Sequence, residues 1–109
     1  MRSVWIAAGL TLAVILPRAA LADDWRFCLA EARAQHKVFM SGAFRTGAPM
    51  DVLEADFGQE LDRRGIPHEE VQCPRSGDRS DLATMEQHAI GFNRELGNGV
   101  VRLDWRPPQ

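Results

Sequence analysis

Apolar residues follow different rhythms along the chain. From Val4 to Leu16, "VWIAAGLTLAVIL" is an unbroken apolar run without a charge. Beyond it the rhythm changes to one of folded elements. "KVFMSGAF" is rich in strand formers and leads into the Gly/Pro-punctuated turn "RTGAP", which predicts a first strand over 37–44. Met50, Leu53, Phe57 and Leu61 then step by three, four and four, the spacing of one helical face. Gly65 and Pro67 stop that helix, and Arg63 and Arg64 occupy its last turn, where the helix dipole favours cations. "EEVQC", 69–73, predicts a short second strand before the loop "PRSGDRS". Leu82, Met85, Ala89, Phe92 and Leu96 predict a second helix with those five on its buried side, ended by Gly97-Asn98-Gly99. In "VVRLDWR", 100–106, Val101, Leu103 and Trp105 alternate with Arg102, Asp104 and Arg106, as in a strand with one face exposed. The segment from Asp23 to Gln35 fits either a helical turn or an extended arm.

The predicted order is β-α-β-α-β, and helical crossovers between successive strands favour parallel pairing. Together with the polar face of the last strand, this predicts an α/β fold: a small two-layer sandwich with a three-stranded sheet and both helices on one face.

The first apolar run changes the picture of where this domain works. Thirteen residues are too few for a membrane-spanning helix, which needs about 20. Preceded by Arg2, broken by Pro17-Arg18 and followed by Ala20-Leu21-Ala22, the run reads as a secretory signal peptide over 1–22, cleaved before Asp23. Residues 23–109 are then a single domain, periplasmic or secreted, with no membrane attachment after cleavage. That product has 87 residues (109 less 22). It loses two of the 13 basic residues and none of the 15 acids, so its formal charge is −4 (11 less 15). A mildly acidic chain with scattered arginines lacks the basic stripe that nucleic acid requires.

Cys28 and Cys73 are the two cysteines of the chain, and export places them in an oxidising compartment, where they are expected to form one disulfide. The bond closes a loop of 45 residues (73 less 28), for which chain entropy predicts about 4 kcal/mol of stabilisation. No CxxC pair is present to suggest redox catalysis.

Candidate chemistry falls in three places. Asp51, Glu54, Asp56 and Glu60 lie on the first helix. Asp51 and Glu54 have capping-box spacing, whereas Asp56 and Glu60 are like charges at i and i+4. Carboxylates so placed suit a hard cation such as calcium or a lanthanide, completed by water, by a protein partner or by a second copy in a metal-bridged homodimer. Arg45, Arg75 and Arg106 lie just beyond the three predicted strands, at the edge where open α/β sheets bind ligands, and suit an anion or acidic partner. His88 with Glu86 is the one acid-base pairing a small enzyme could use, although i and i+2 on a helix do not face each other. Ser41, Ser76 and Ser80 lie in no nucleophile motif, and "QHAIGFNRELG" in the second helix matches no active-site pattern. The reading favoured is a non-catalytic accessory or carrier protein that binds a hard cation or a protein partner.

A cysteine before "VFMS", a phenylalanine-centred helix, a second cysteine in a short strand and a final "VV" strand ending in Trp resemble a group of short exported bacterial proteins, most of them uncharacterised. These marks are structural residues. The resemblance implies the fold and carries no catalytic residue with it.

Overall fold

The chain from Asp24 to Thr46 is one long, interrupted hairpin. The computed structural model describes residues 23–108, so the signal peptide predicted over 1–22 lies outside the described residues. Strands β1 (Asp24–Arg26) and β2 (Leu29–Ala32) run one way, a 3-10 turn at Arg33–Gln35 reverses the chain, and β3 (Lys37–Ser41) and β4 (Phe44–Thr46) run back. The segment that fitted either a helical turn or an arm is therefore mostly strand. Helix α1 (Met50–Arg63) follows, then β5 (Val71–Gln72), β6 (Arg75–Ser76), α2 (Arg79–Glu95) and β7 (Gly99–Leu103). The strands form a four-stranded sheet in the order β5-β2-β3-β7 and a three-stranded sheet in the order β4-β1-β6.

The two sheets are successive stretches of the same strands. Leu29 pairs with Gln72 and Trp25 with Ser76, four residues apart on each strand, so the register is unbroken and sets Cys28 opposite Cys73. The disulfide bridges that cross-strand pair, with Cα atoms 4.0 Å apart, close to the spacing of directly opposed antiparallel residues. On the other side Leu29 pairs with Met40 and Trp25 with Arg45, four residues against five. The extra residue, at Gly42-Ala43, is a bulge that shifts the side-chain alternation by one. It brings Phe44 onto the same face as Phe39, and both enter one core cluster.

Two features differ from the expected sandwich. The three strands read from the sequence do run in one direction, and β7 does pair in parallel with β3. However, β2 lies between β3 and β5 and is antiparallel to both, so the sheet has four mixed strands. The helices also cover opposite faces. Leu53, Phe57 and Leu61 of α1 pack with Ala30, Ala32, Phe39, Phe44, Leu103 and the disulfide. Leu82 and Ile90 of α2 pack with Phe27, Val38 and Met40. The connection through α1 travels from β3 past β2 to β5, and the one through α2 travels back to β7. Two crossovers of the same hand made in opposite directions must place their helices on opposite faces. The polar face of β7 is accordingly not open: Arg102 donates from Nη1 to Oε2 of buried Glu86 on α2, at 3.2 Å.

The helix stops occur where glycine demands them. Gly65 and Gly97 have φ of +70° and +88°, in the left-handed region. Each is followed by a six-to-one backbone bond, Ile66 N–H to Leu61 O at 3.0 Å and Asn98 N–H to Asn93 O at 2.9 Å, which closes the last helical turn. At the start of α2, Asp78 accepts from the N–H groups of Ser80 and Asp81, and these bonds hold its carboxyl below the usual range. The expected capping box on α1 does not form: Pro49 is its N-cap, and Asp51 instead accepts from the N–H of Val52 at 3.0 Å.

Candidate functional site

Helix α2 buries a different stripe from the one its apolar residues suggest. Leu82, Glu86, Ile90 and Asn93 face inward, spaced by four, four and three, while Phe92 is 60% exposed and Leu96 55%. Two polar residues can occupy the buried stripe because both are satisfied. Glu86 meets Arg102, with Arg79 Nη1 at 3.9 Å from its other oxygen. Asn93 donates to Ala89 O at 2.9 Å and accepts from Asn98 Nδ2 at 3.0 Å. The helix is thereby rolled so that Phe92 and Leu96 overhang a groove of about 330 Å³ between α2 and the β2–β5 edge of the sheet.

The floor and helical wall of this groove are apolar, formed by Leu29, Ala30, Val38, Ala89, Phe92 and Leu96. Its remaining lining is polar: Glu31, Arg33, Glu69, Glu70, Gln72 and Asn93. These side chains are partly bonded to one another. Glu31 accepts from Asn98 Nδ2 at 3.0 Å and from Arg33 Nε at 3.4 Å, and Arg33 Nη1 lies 3.6 Å from Glu69. Glu69 N–H donates to Glu31 O at 2.7 Å, tying the segment before β5 to the end of β2. The lining carries three carboxylates against one guanidinium, a formal excess of two negative charges. Such a surface combines apolar contact area with attraction for cationic groups at its margin.

The acids predicted on α1 do not converge. Glu60 is bound by Arg63 and by Arg64 Nε at 2.8 Å, and these two partners hold its carboxyl below the usual range. Glu54 lies within the electrostatic reach of buried Arg26, and Asp51 serves its own helix start, so Asp56 stands apart. Among the described residues no group of three or more His, Cys, Asp or Glu side chains could hold a metal ion. Of the expected ligands Asp51, Glu54, Asp56 and Glu60, the last already carries two arginine partners, which an ion there would have to displace.

The arginine edge is likewise dispersed. Arg45 and Arg75 belong to β4 and β6 themselves, flanking β1. Arg45 stands opposite Trp25 and Arg75 opposite Arg26, adjacent residues of one strand, so their side chains leave opposite faces of the sheet. Arg45 lies 5.7 Å from the ring centre of Trp25 and Arg79 lies 5.3 Å from it, both within cation–π range. Arg75 pairs with Asp24 at 3.3 Å, and Arg106 is exposed beyond the end of β7. The His88–Glu86 pair is not assembled: Glu86 points inward to Arg102, whereas His88 is exposed.

Arg26 gave no sign of itself in the sequence. It is 5% exposed, donates from Nη1 to Cys73 O at 3.1 Å and has a buried Nε with no hydrogen-bond partner among the described residues. Burial pushes its guanidinium below the usual range, with nearby Arg75 adding to the effect and Asp24 and Glu54 opposing it. The groove has no distinct signature in the sequence either, because Phe92 and Leu96 fit a helical core stripe. The available signal was Glu86 and Asn93 at the competing i+4 and i+3 steps from Leu82 and Ile90.

Comparison with protein-family models, with curated proteins and with solved structures found no match.

Proposed function

We propose that this protein is an exported, non-catalytic binding module that holds a segment of a partner protein in the groove between α2 and the β2–β5 edge. The observation that carries this reading is the exposure of Phe92 and Leu96 directly over an apolar floor whose rim is acidic. A helix that buries Glu86 and Asn93 while leaving a phenylalanine and a leucine in solvent gives up hydrophobic burial in the monomer, and a bound partner would recover it. The excess of carboxylates selects a segment that alternates apolar and basic residues, the apolar ones meeting Leu29, Val38 and Phe92 and the basic ones meeting Glu69 and Glu70. The signal peptide expected over 1–22, the disulfide and the resemblance to short exported proteins support a periplasmic or secreted setting. The carboxylates that meet the protein partner are then those of the groove rim and not those of α1.

The test is a titration of the exported chain with synthetic peptides of alternating valine and lysine, alternating valine and glutamate, and a polar control, followed by amide chemical shifts. Shifts confined to Leu29, Val38, Ala89, Phe92 and Leu96 are expected with the lysine peptide alone. They should vanish in Phe92→Ala/Leu96→Ala and weaken in Glu69→Gln/Glu70→Gln or at high salt. Each groove variant should melt within a few degrees of the parent, since exposed substitutions change stability by about 0.5 kcal/mol or less. No response to the lysine peptide, or equal binding by Phe92→Ala/Leu96→Ala, would remove the proposal.

A further inference from the structure

The opposite edge of the four-stranded sheet, formed by β7, carries an inference that does not depend on the groove. Strand β7 is among the longest of the domain and, among the described residues, pairs on one side only, with β3. Gly99 donates its N–H to His36 O at 2.8 Å, so in the parallel ladder Gly99, Val101 and Leu103 turn their backbone groups toward β3. Val100 and Arg102 consequently turn theirs outward, and among the described residues those outward groups have no further backbone partner. Val100 and Val101 lie on opposite faces of the sheet, and each is only half buried at this edge. An uncovered edge of this length, with apolar residues on both faces, is a template for another strand.

We propose that the strand added there is β7 of a second copy of this chain, in antiparallel register about Leu103. The sequence around that residue is self-complementary. A two-fold axis at Leu103 sets Arg102 opposite Asp104 of the other copy, twice over, and Val101 opposite Trp105. Opposite charges directly across an antiparallel pair are favourable, whereas an axis at Arg102 would oppose two arginines. Arg102 gives one N–H to Glu86 and retains donors for a second carboxylate. Asp104 is exposed and follows the end of the β3 ladder, so it is free to pair outward. The result is a continuous eight-stranded sheet, formed of four strands from each copy, with the two grooves at its outer ends.

Sedimentation of the exported chain from micromolar to millimolar concentration tests this. A reversible monomer–dimer equilibrium is expected. Asp104→Pro removes the outward donor at the centre of the pairing without touching the β3 ladder, and Asp104→Arg sets arginine against arginine. Each should weaken dimerisation by at least about tenfold, which corresponds to roughly 1.4 kcal/mol. Asp104→Asn should fall between them and the parent, and Phe92→Ala/Leu96→Ala should leave the equilibrium unchanged. If Asp104→Pro disturbs folding, as judged by its near-ultraviolet circular dichroism, Asp104→Arg decides alone. A chain that stays monomeric throughout, or a dimer equally tight with Asp104→Arg, would overturn the proposal. So would a dimer lost only when Phe92 and Leu96 are replaced.

Discussion

Phe57→Ala is expected to destabilise the domain by about 3–5 kcal/mol, the range for removing a fully buried phenylalanine. Phe57 is 0% exposed, and its ring lies 5.1 Å from that of Trp105, edge to face, while Phe44 meets the same indole at 6.0 Å. Three segments distant in sequence, α1, the β4 strand behind the bulge and the tail after β7, thus converge on one contact. The cavity could not close readily, because the backbone on the far side is held by the Cys28–Cys73 pair within the same cluster. Small domains have total stabilities of roughly 0.05–0.15 kcal/mol per residue, so the loss takes a large share of the whole. Denaturant unfolding monitored by tryptophan fluorescence gives the measurement. A midpoint close to the parent's would show that the α1 face is not the main core. The contrast with Phe92→Ala is informative: both are helical phenylalanines in apolar stripes, yet the exposed one should change stability by less than about 1 kcal/mol.

Removing the disulfide is expected to cost about 4 kcal/mol, the chain-entropy value for a loop of 45 residues. Cys28 and Cys73 are 0% and 1% exposed and face each other across the middle of the β1–β2 and β5–β6 ladders, where strands of both sheets meet. Phe27 N–H reaches Pro74 O at 3.4 Å there, and Arg26 bonds Cys73 O, so the bridge supports a stretch of ladder between the two sets of paired residues. Cys28→Ala/Cys73→Ala should melt well below the parent. The oxidised chain should yield no reactive thiol in denaturant, and reductant should act slowly on the folded protein because the sulfurs are covered. Labelled thiols in the oxidised protein, or an unchanged melting point in the double variant, would contradict this account.

Much of the fold was legible in the chain because local signals and tertiary demands agreed. Helix α1 follows its three-four-four apolar spacing, with Leu53, Phe57 and Leu61 buried and the first residue of that series, Met50, 43% exposed. Gly65 and Gly97 end both helices where a left-handed residue is required, and Val101 and Leu103 of the last strand face the same core as Trp105 just beyond it. The cysteine pairing followed from there being only two cysteines in the chain. Each of these depends on near neighbours in sequence, or on having only one partner to choose.

What the tertiary structure decided was everything that depends on which surface lies opposite. The segment 24–32 became β1, inserted between β4 and β6, and β2, inserted between β3 and β5, and a one-residue bulge at Gly42-Ala43 put Phe44 into the core; neither carries a periodic signature. The helices took opposite faces because the two crossovers travel in opposite directions, a property of strand order and not of any helix's own residues. Helix α2 shows the reason most plainly. Its apolar stripe and its buried stripe share Leu82 and then diverge, since Glu86 becomes a core residue only when Arg102, sixteen residues away, stands across from it, and Asn93 only when Asn98 donates to its side-chain oxygen. Burial of a polar side chain depends on a partner that the local sequence does not supply, and the exposed phenylalanine and leucine over the groove are the consequence of that distant pairing.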